Sequence, residues 1–192
     1  VNKKTLINKE ADMHLSLNNN PYDIVITIKN NTLIPSAGID ESNGNGYYIL
    51  WPEDPQRSAN RIREYLCKRF SVQNAGVIIT DSKTTPLRWG TTGIAIAHSG
   101  FYALRNYIGT PDIFGRKLKV TKANMVDGLA AAAVVTMGEG NEQTPLAVIT
   151  DTPNIVFQKR DPTAKELRDL AIDIQDDLYA PLLTAVRWEK KK

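Results

Sequence analysis

Short apolar segments that favour strands alternate irregularly with longer segments that favour helices, and this pattern restricts the fold classes open to the chain. The predicted strands cover residues 23–28, 47–50, 76–80, 93–97, 118–121 and 146–150. The predicted helices cover residues 58–70, 124–136 and 163–178. Because strands and helices do not alternate in a regular order, the pattern favours an α+β fold with mixed or antiparallel sheets and flanking helices over a doubly wound sheet.

The helix boundaries follow from capping residues. Ser58 is the predicted N-cap of the first helix, and Thr163, behind Pro162, begins the last one. Gly138 is expected to end the alanine-rich helix that starts at Asn124. The predicted buried face of the first helix consists of Ala59, Ile62, Leu66 and Phe70.

Composition excludes several kinds of protein. The net charge is only +3, and the terminal run 190–192 of three lysines is interpreted as a solvated tail, so a nucleic-acid partner is not expected. The single cysteine, Cys67, is expected to be buried and indicates a reducing, cytoplasmic setting. With only His14 and His98 available, a Cys/His zinc site is excluded. We expect neither a signal peptide nor a membrane span, and the start at Val1 suggests that an N-terminal piece is missing.

Three acidic motifs in loops are candidates for metal binding. Asp40 lies in a glycine-rich loop with Asn43, and Asp81 follows an apolar strand and precedes Ser82. Glu139 lies between two glycines just after a helix, where the helix dipole does not stabilise its charge. Oxygen donors of this kind suit Mg²⁺ or Mn²⁺. The alternatives are a surface turn around Asp40, a cap at Asp81 and an ordinary solvated Glu139.

A histidine and a serine stand side by side at His98 and Ser99. A nucleophile–base pair is disfavoured, because the partners of a catalytic triad usually come from separate loops. We interpret His98 as a structural residue at a strand end, with a substrate contact as an alternative. The chain contains neither a P-loop motif nor a dinucleotide-binding glycine motif, so any nucleotide site must be of an uncommon type.

Five motifs in order resemble the family of γ-glutamyl ligases that add glutamate to the deazaflavin coenzyme F-420. They occupy residues 37–43, 51–55, 79–82, 112–118 and 137–139. The resemblance is strongest over residues 21–150. Within the family, the chain is most similar to the branch assigned to folate metabolism. It implies that residues 1–192 are the C-terminal portion of a ligase domain whose N-terminal segment is absent here, and that the fold is an intertwined homodimer.

The resemblance also implies a reaction. A nucleoside triphosphate, GTP or ATP, activates a folate-like or deazaflavin-like acid as an acyl phosphate, which the amine of L-glutamate attacks. The implied ligands of two divalent cations, Mg²⁺ or Mn²⁺, are Asp40, Asp81, Ser82 and Glu139. The implied nucleotide contacts are Asn43, Met137, Gly138, Glu139, Gly140, Asn141, Glu142, Gln143 and Thr144, with Glu142 as the alternative metal ligand. The predicted substrate contacts are Arg88, His98, Ser99 and Arg116. No catalytic acid or base is identified.

One departure from the family pattern bears on function. Where family members typically continue Asp-Thr-Phe-Gly-Arg-Pro, residues 81–86 read Asp-Ser-Lys-Thr-Thr-Pro. Ser82 keeps the hydroxyl, but loss of the aromatic residue and the arginine weakens the case for a deazaflavin acceptor. Two alternatives therefore stay open: a non-catalytic protein that binds nucleotide and metal, and a metal-dependent phosphohydrolase.

Overall fold

A computed structural model describes residues 2–15 and 21–191, which divide into two compact units. Unit 1 comprises Val1–Trp51, Lys83–Thr91 and Ala171–Lys192, and unit 2 comprises Pro52–Ser82 and Thr92–Leu170. Helices and antiparallel strands occur together, so the α+β prediction is confirmed. Within the described residues, none of the helices combines the length and apolar character needed to cross a membrane.

Unit 1 is built on a four-stranded antiparallel sheet in the order β3-β2-β1-β8. Its strands are β1 (Met13–Leu15), β2 (Ile26–Lys29), β3 (Thr32–Pro35) and β8 (Trp188–Lys190), and its helices are α1 (Lys3–Glu10) and the short α5 (Ala180–Leu183). Ile7 and Ala11 pack with Val25, Ala37 and Ile39 as the core of the unit.

Two buried polar side chains of unit 1, Thr27 and Lys29, are paired. The Thr27 hydroxyl donates to the carbonyl of Ile34 and accepts from the backbone N–H of Ala37 at 2.8 Å, which joins β2 to the turn after β3. The Lys29 ammonium lies 2.8 Å from the Glu10 carboxylate and 5.2 Å from the ring centroid of Trp51. The Lys29 hydrogen bond lowers the pKa of Glu10 below its usual range. The buried Lys29 ammonium is tolerated because the Glu10 carboxylate and the Trp51 ring stabilise its charge.

Unit 2 contains two sheets of two strands each. One pairs β4 (Val77–Thr84) with β5 (Thr91–Ser99), and the hairpin tip between them belongs to unit 1. The other pairs β6 (Leu104–Asn106) with β7 (Lys122–Asn124) in antiparallel register. The helices are α2 (Pro55–Phe70), α3 (Met125–Met137) and α4 (Ala164–Leu170). The core lies around Phe101, Ala103 and Val126.

Two features attach α3 to β5. The backbone N–H of Ala95 donates to the Asp127 carboxylate at 2.9 Å. A Cβ atom added to Gly93 would lie 2.5 Å from the carbonyl oxygen of Ala130 and 2.6 Å from Cγ2 of Val134. The missing side chain of Gly93 therefore allows the helix to approach the strand closely.

The predicted cap of α2 is wrong. The helix begins at Pro55 with Asp54 as N-cap, whose carboxylate accepts from the backbone N–H of Arg57 at 2.8 Å. Pro55 suits the first helical position, where the missing N–H costs nothing. Ser58 lies one turn inside, and its hydroxyl donates to the Asp54 carbonyl at 2.9 Å.

The predicted buried face of α2 is only partly correct. Ala59 is fully buried, but Ile62 and Phe70 are 44% and 62% exposed. Cys67 is half-buried rather than buried. The periodicity therefore predicted the helix without fixing how much of its apolar face is covered.

Replacing Asp54 with alanine is expected to destabilise unit 2 by about 1 kcal/mol, because the N-terminal N–H of Arg57 then loses its acceptor. The free energy of unfolding in urea measures this change. Glu53→Ala is the matched control, since it removes a neighbouring exposed carboxylate that caps nothing. Equal stability losses in the two variants would contradict the assignment of Asp54 as the cap.

Several predicted strands are wrong or misplaced. Residues 118–121 form no strand, and β7 begins one residue later, at Lys122. Residues 146–150 are not paired with any described strand, and Leu146 and Val148 are 86% and 89% exposed. Residues 47–50 contribute only a bridge between Ile49 and Asp40. The strand predicted at 23–28 starts at Ile26, and the short strands β1, β3, β6 and β8 were not anticipated. An apolar segment becomes a strand only where a neighbour is available for pairing.

The last predicted helix begins correctly and ends too late. The Thr163 hydroxyl accepts from the backbone N–H of Glu166 at 3.2 Å, and the Glu166 carboxylate accepts from the backbone N–H of Thr163 at 2.7 Å. This reciprocal pair is a capping box. The helix stops at Leu170, where the chain leaves unit 2, whereas the prediction ran to residue 178.

The basic C-terminus is also different from the prediction. Lys190 is the last residue of β8 and pairs with Met13, so the lysine run is not simply a solvated tail. The backbone N–H of Lys191 donates to the carbonyl of Asp12 at 3.0 Å. Lys192 lies outside the described residues.

Candidate functional site

Ser82 and Glu139 are brought together in unit 2. The Ser82 hydroxyl donates to Oε2 of Glu139 at 3.1 Å, although the two residues lie 57 positions apart in the chain. Ser82 is carried by β4, and Glu139 follows the C-terminus of α3. The position of this pair therefore depends on how α3 packs against the β4–β5 sheet.

Asp81 precedes Ser82 within β4 rather than at the end of the strand. The strand runs through to Thr84, four residues beyond the predicted end. Oδ1 of Asp81 accepts from the backbone N–H of Ser82 at 2.7 Å, and both side chains are half-buried. This bond restricts the rotation of the Asp81 carboxylate.

The loop after α3 is closed by its own hydrogen bonds. Gly138 caps α3 with φ at 80°, a conformation that glycine adopts without strain. The Thr144 hydroxyl donates to the carbonyl of Met137 at 2.7 Å and joins the two ends of the loop. Inside it, the backbone N–H of Gly140 donates to Oε2 of Glu142 at 2.7 Å. The Gln143 side-chain amide donates to Oδ1 of Asn141 at 3.1 Å.

These contacts separate the two glutamates of the loop. Glu142 turns inward: a Cβ atom added to Gly138 would lie 2.2 Å from the carboxylate carbon of Glu142. Glu139 instead contacts Ser82 on β4. The geometry therefore favours Glu139 over Glu142 as the metal ligand, and the role itself stays a prediction.

We expect Glu139→Gln and Glu142→Gln to act in different ways. Glu139→Gln should weaken Mn²⁺ binding by the full-length protein about ten-fold or more without changing its stability, because it removes a negatively charged oxygen donor. Glu142→Gln should leave Mn²⁺ affinity nearly unchanged, because an amide oxygen still accepts from Gly140. Calorimetric titration with Mn²⁺ measures both. The reverse order of effects would make Glu142 the ligand.

The Asp40 loop lies in unit 1 and is organised as a turn. Asp40 forms an antiparallel bridge with Ile49 through hydrogen bonds of 3.1 and 2.8 Å. Its Oδ1 accepts from the backbone N–H of Ser42 at 2.8 Å and from the Ser42 hydroxyl at 2.5 Å. Asn43 adopts a positive φ of 54°, which asparagine tolerates. The hydrogen bonds of Oδ1 thus agree with the alternative of a surface turn around Asp40. The roles of Asp40 and Asn43 in binding stay predictions.

The donor chemistry of the Ser82–Glu139 pair fits a hard divalent cation. Hydroxyl and carboxylate oxygens are ligands that Mg²⁺ and Mn²⁺ prefer. The two oxygens of this pair are 3.1 Å apart. Across residues 2–15 and 21–191, no three His, Cys, Asp or Glu side chains are grouped closely enough to hold a metal ion. The pair would therefore supply two of the ligands only.

His98 and Ser99 are both buried at the end of β5. The ring of His98 packs edge-on against Phe101, with ring centroids 5.5 Å apart, and its carbonyl accepts from the Gln56 amide at 2.7 Å. Burial lowers the pKa of His98, so its neutral form is favoured. The Ser99 hydroxyl accepts from Nε of Arg63 at 2.9 Å. These contacts match the structural interpretation of His98, and the substrate contacts stay predictions.

The two arginines predicted to contact substrate are exposed. Arg88 lies at the tip of the β4–β5 hairpin, between Leu87 and Trp89, which are 104% and 93% exposed. Arg116 belongs to a tight loop around Asp112, whose Oδ1 accepts from the backbone N–H groups of Phe114 and Arg116 at 2.9 and 2.8 Å.

Sequence reasoning missed an ionic network in unit 2. Arg63 bonds Asp161 at 2.8 Å across 98 residues of sequence, and Arg160 bonds both oxygens of Glu166 at 2.8 Å. The Arg160 bond strongly lowers the pKa of Glu166, and the Glu166 bond in turn raises the pKa of Arg160. The spacing of Thr163 and Glu166, which matches a capping box, is a signal in the sequence that could have indicated part of this network.

The structure thus defines an α+β protein in which a hydroxyl–carboxylate pair lies beside a glycine-flanked loop. The sequence profile of the family described as F420-0:Gamma-glutamyl ligase matches residues 4–151. The chain belongs to this family, as its ordered motifs predicted.

Individual relatives agree with this assignment. The chain is 41% identical over 147 residues to the coenzyme F420:L-glutamate ligase of Methanococcus maripaludis strain C7, which covers 77% of this chain and 58% of the relative. It is 42% identical over 129 residues to the enzyme of that name from Methanopyrus kandleri, covering 67% of this chain and 51% of the relative. The enzyme of that name from Methanocaldococcus jannaschii is 39% identical over 126 residues, covering 66% and 50%. The chain thus spans about half the length of the curated relatives it matches.

Proposed function

We propose that the full-length protein is an amide-bond-forming ligase that joins L-glutamate, through a γ-glutamyl linkage, to a small carboxylic acid. Membership of the ligase family supports this activity. The observation that carries the proposal is the contact between Ser82 and Glu139, two residues that the family pattern assigns to one metal site.

The proposed ligands of Mg²⁺ or Mn²⁺ in unit 2 are Asp81, Ser82 and Glu139. For Asp40, in unit 1, only the resemblance to the family supports the same role. The chemistry that such a cation supplies when bound is neutralisation of the negative charge on a carboxylate and a phosphate group. The backbone N–H of Ser82 holds Oδ1 of Asp81 at 2.7 Å, and the Ser82 hydroxyl donates to Glu139 at 3.1 Å. The loop at residues 137–144 carries Glu139, which contacts Ser82 on β4, and forms the proposed nucleotide contacts of unit 2. The nucleotide contact proposed for Asn43, in unit 1, rests on the resemblance to the family.

The finer features of the reaction are also part of the proposal. GTP or ATP activates the acceptor as an acyl phosphate, and the amine of glutamate displaces phosphate and loses a proton. The acceptor is a folate-like or deazaflavin-like acid, and the active form is a cytoplasmic homodimer. Arg88 and Arg116, both exposed cations, are the proposed contacts for acceptor carboxylates.

The test is mass spectrometry of full-length protein incubated with Mg²⁺ or Mn²⁺, L-glutamate, a nucleotide and a panel of folate and deazaflavin acids. We expect one acid to gain the mass of a glutamyl residue, with one nucleotide consumed per bond formed. Phosphate release that does not need glutamate would instead indicate a phosphohydrolase. Nucleotide binding without any product would indicate a non-catalytic binding protein.

A further inference from the structure

A cleft of about 740 Å³ lies along α2 in unit 2, and arginine is its most frequent lining residue. Arg57, Arg61 and Arg63 come from α2, and Arg160 comes from the segment before α4. None of these residues belongs to the proposed metal and nucleotide site. The volume of the cleft is in the range of small-molecule sites and leaves room for an amino acid with its hydrating water.

The four arginines divide into two kinds. Arg63 is fixed by the Ser99 hydroxyl and the Asp161 carboxylate, and Arg160 is fixed by Glu166. Arg57 and Arg61 are exposed, and their guanidinium groups form no ion pair within residues 2–15 and 21–191. They lie one helical turn apart, so their side chains are neighbours on the surface of α2. Two neighbouring guanidinium groups can bind one oxyanion.

Three carboxylates line the same cleft. Asp54, Glu64 and Asp161 each accept their hydrogen bonds from described residues through a single oxygen. Lys68 lowers the pKa of Glu64, whereas the nearby charge of Asp161 acts in the opposite direction. Glu64 and Asp161 thus line one cleft, and each keeps a second carboxylate oxygen that can accept from a cationic group of a ligand.

The charges of the cleft define the ligand it suits. Four arginines against three carboxylates leave one excess positive charge, with both signs present. A doubly charged phosphate would bind the arginines but would be repelled by the acids. A molecule with two carboxylates and one ammonium group has a net charge of −1 and meets both kinds of side chain.

We propose that this cleft binds a free amino acid with an acidic side chain, with its carboxylates at Arg57 and Arg61 and its ammonium group between Glu64 and Asp161. L-Glutamate is chosen as the probe because it is the co-substrate of the proposed reaction, and only this choice rests on the proposed function. Binding needs neither nucleotide nor acceptor acid, so its failure is distinguishable from a failure of ligation.

Isothermal titration of the full-length protein with L-glutamate tests the proposal. Arg57→Gln/Arg61→Gln should weaken glutamate binding about ten-fold or more, since two charge-assisted contacts are removed. Each single variant should have an intermediate effect. Arg69→Gln is the matched control, because Arg69 is an exposed arginine of α2 outside the cleft. The Arg69→Gln protein should bind glutamate as tightly as the unmodified protein does.

A second comparison tests the ammonium contact. Glutarate has the two carboxylates but lacks the ammonium group, so it should bind several-fold more weakly than glutamate, and Glu64→Gln should remove this preference. Circular dichroism and the thermal midpoint should be unchanged, since the substituted residues are exposed. The proposal is overturned if glutamate does not bind at millimolar concentration, if inorganic phosphate binds as tightly, or if Arg69→Gln weakens binding as much as the double variant.

Discussion

Asp81→Asn is expected to slow γ-glutamyl ligation by the full-length protein about a thousand-fold, a loss of about 4 kcal/mol of transition-state stabilisation. The substitution removes a negative charge from the proposed metal site but keeps the shape of the side chain. Asparagine retains Oδ1, so the 2.7 Å bond from the backbone N–H of Ser82 survives and the strand is not disturbed. The measurement is nucleotide consumption at saturating L-glutamate, acceptor and Mn²⁺.

Two comparisons make this result specific. Asp176→Asn removes an exposed carboxylate outside the proposed site and should leave the rate unchanged. The urea midpoint of the Asp81→Asn protein should equal that of the unmodified protein, which separates loss of chemistry from loss of fold. Normal turnover by Asp81→Asn would show that the proposed two-cation site is incorrect.

Gly93→Ala is expected to destabilise unit 2 by about 3 kcal/mol, because the added methyl group has no space between β5 and α3. That methyl group would lie 2.5 Å from a backbone oxygen of Ala130, which cannot move without displacing the helix. Since α3 carries the loop that positions Glu139 beside Ser82, metal affinity should fall together with stability. Chemical denaturation and Mn²⁺ titration measure the two effects.

Gly128→Ala is the matched control for this prediction. Gly128 lies within α3, the helix that packs against Gly93, and a Cβ atom added there meets nothing within 4 Å apart from its chain neighbours and the backbone of its own helix. Alanine at this position should stabilise the protein by about 0.5–1 kcal/mol through better helix propensity. If both glycine variants changed stability in the same direction and by the same amount, close packing at Gly93 would not be the cause.

Local chemistry explains which elements could be predicted from the sequence. Helix α3 lies between Asn124, which caps its start, and Gly138, which caps its end, and both residues act within one turn of the helix. The start of α4 follows from the same kind of contact between Thr163 and Glu166. Signals of this range are contained in four or five consecutive residues and need no knowledge of the rest of the fold.

Contacts at long range explain what could not be predicted. Residues 146–150 have a composition suited to a strand, but pairing depends on a neighbour that composition does not specify. The bond between Arg63 and Asp161 joins residues 98 positions apart, and nothing in their spacing indicates it. The Ser82–Glu139 contact was anticipated only because the order of motifs resembled a known family, not from the residues alone.

The self-closed loop at residues 137–144 has a consequence for the thermodynamics of ligand binding. Its ends are joined by the bond from Thr144 to Met137, and its interior by the bond from Gly140 to Glu142. The conformational entropy of these residues is therefore lost when the chain folds, not when a ligand arrives. A nucleotide bound there would encounter a preorganised surface, so the loop itself should add little unfavourable entropy or heat-capacity change to binding.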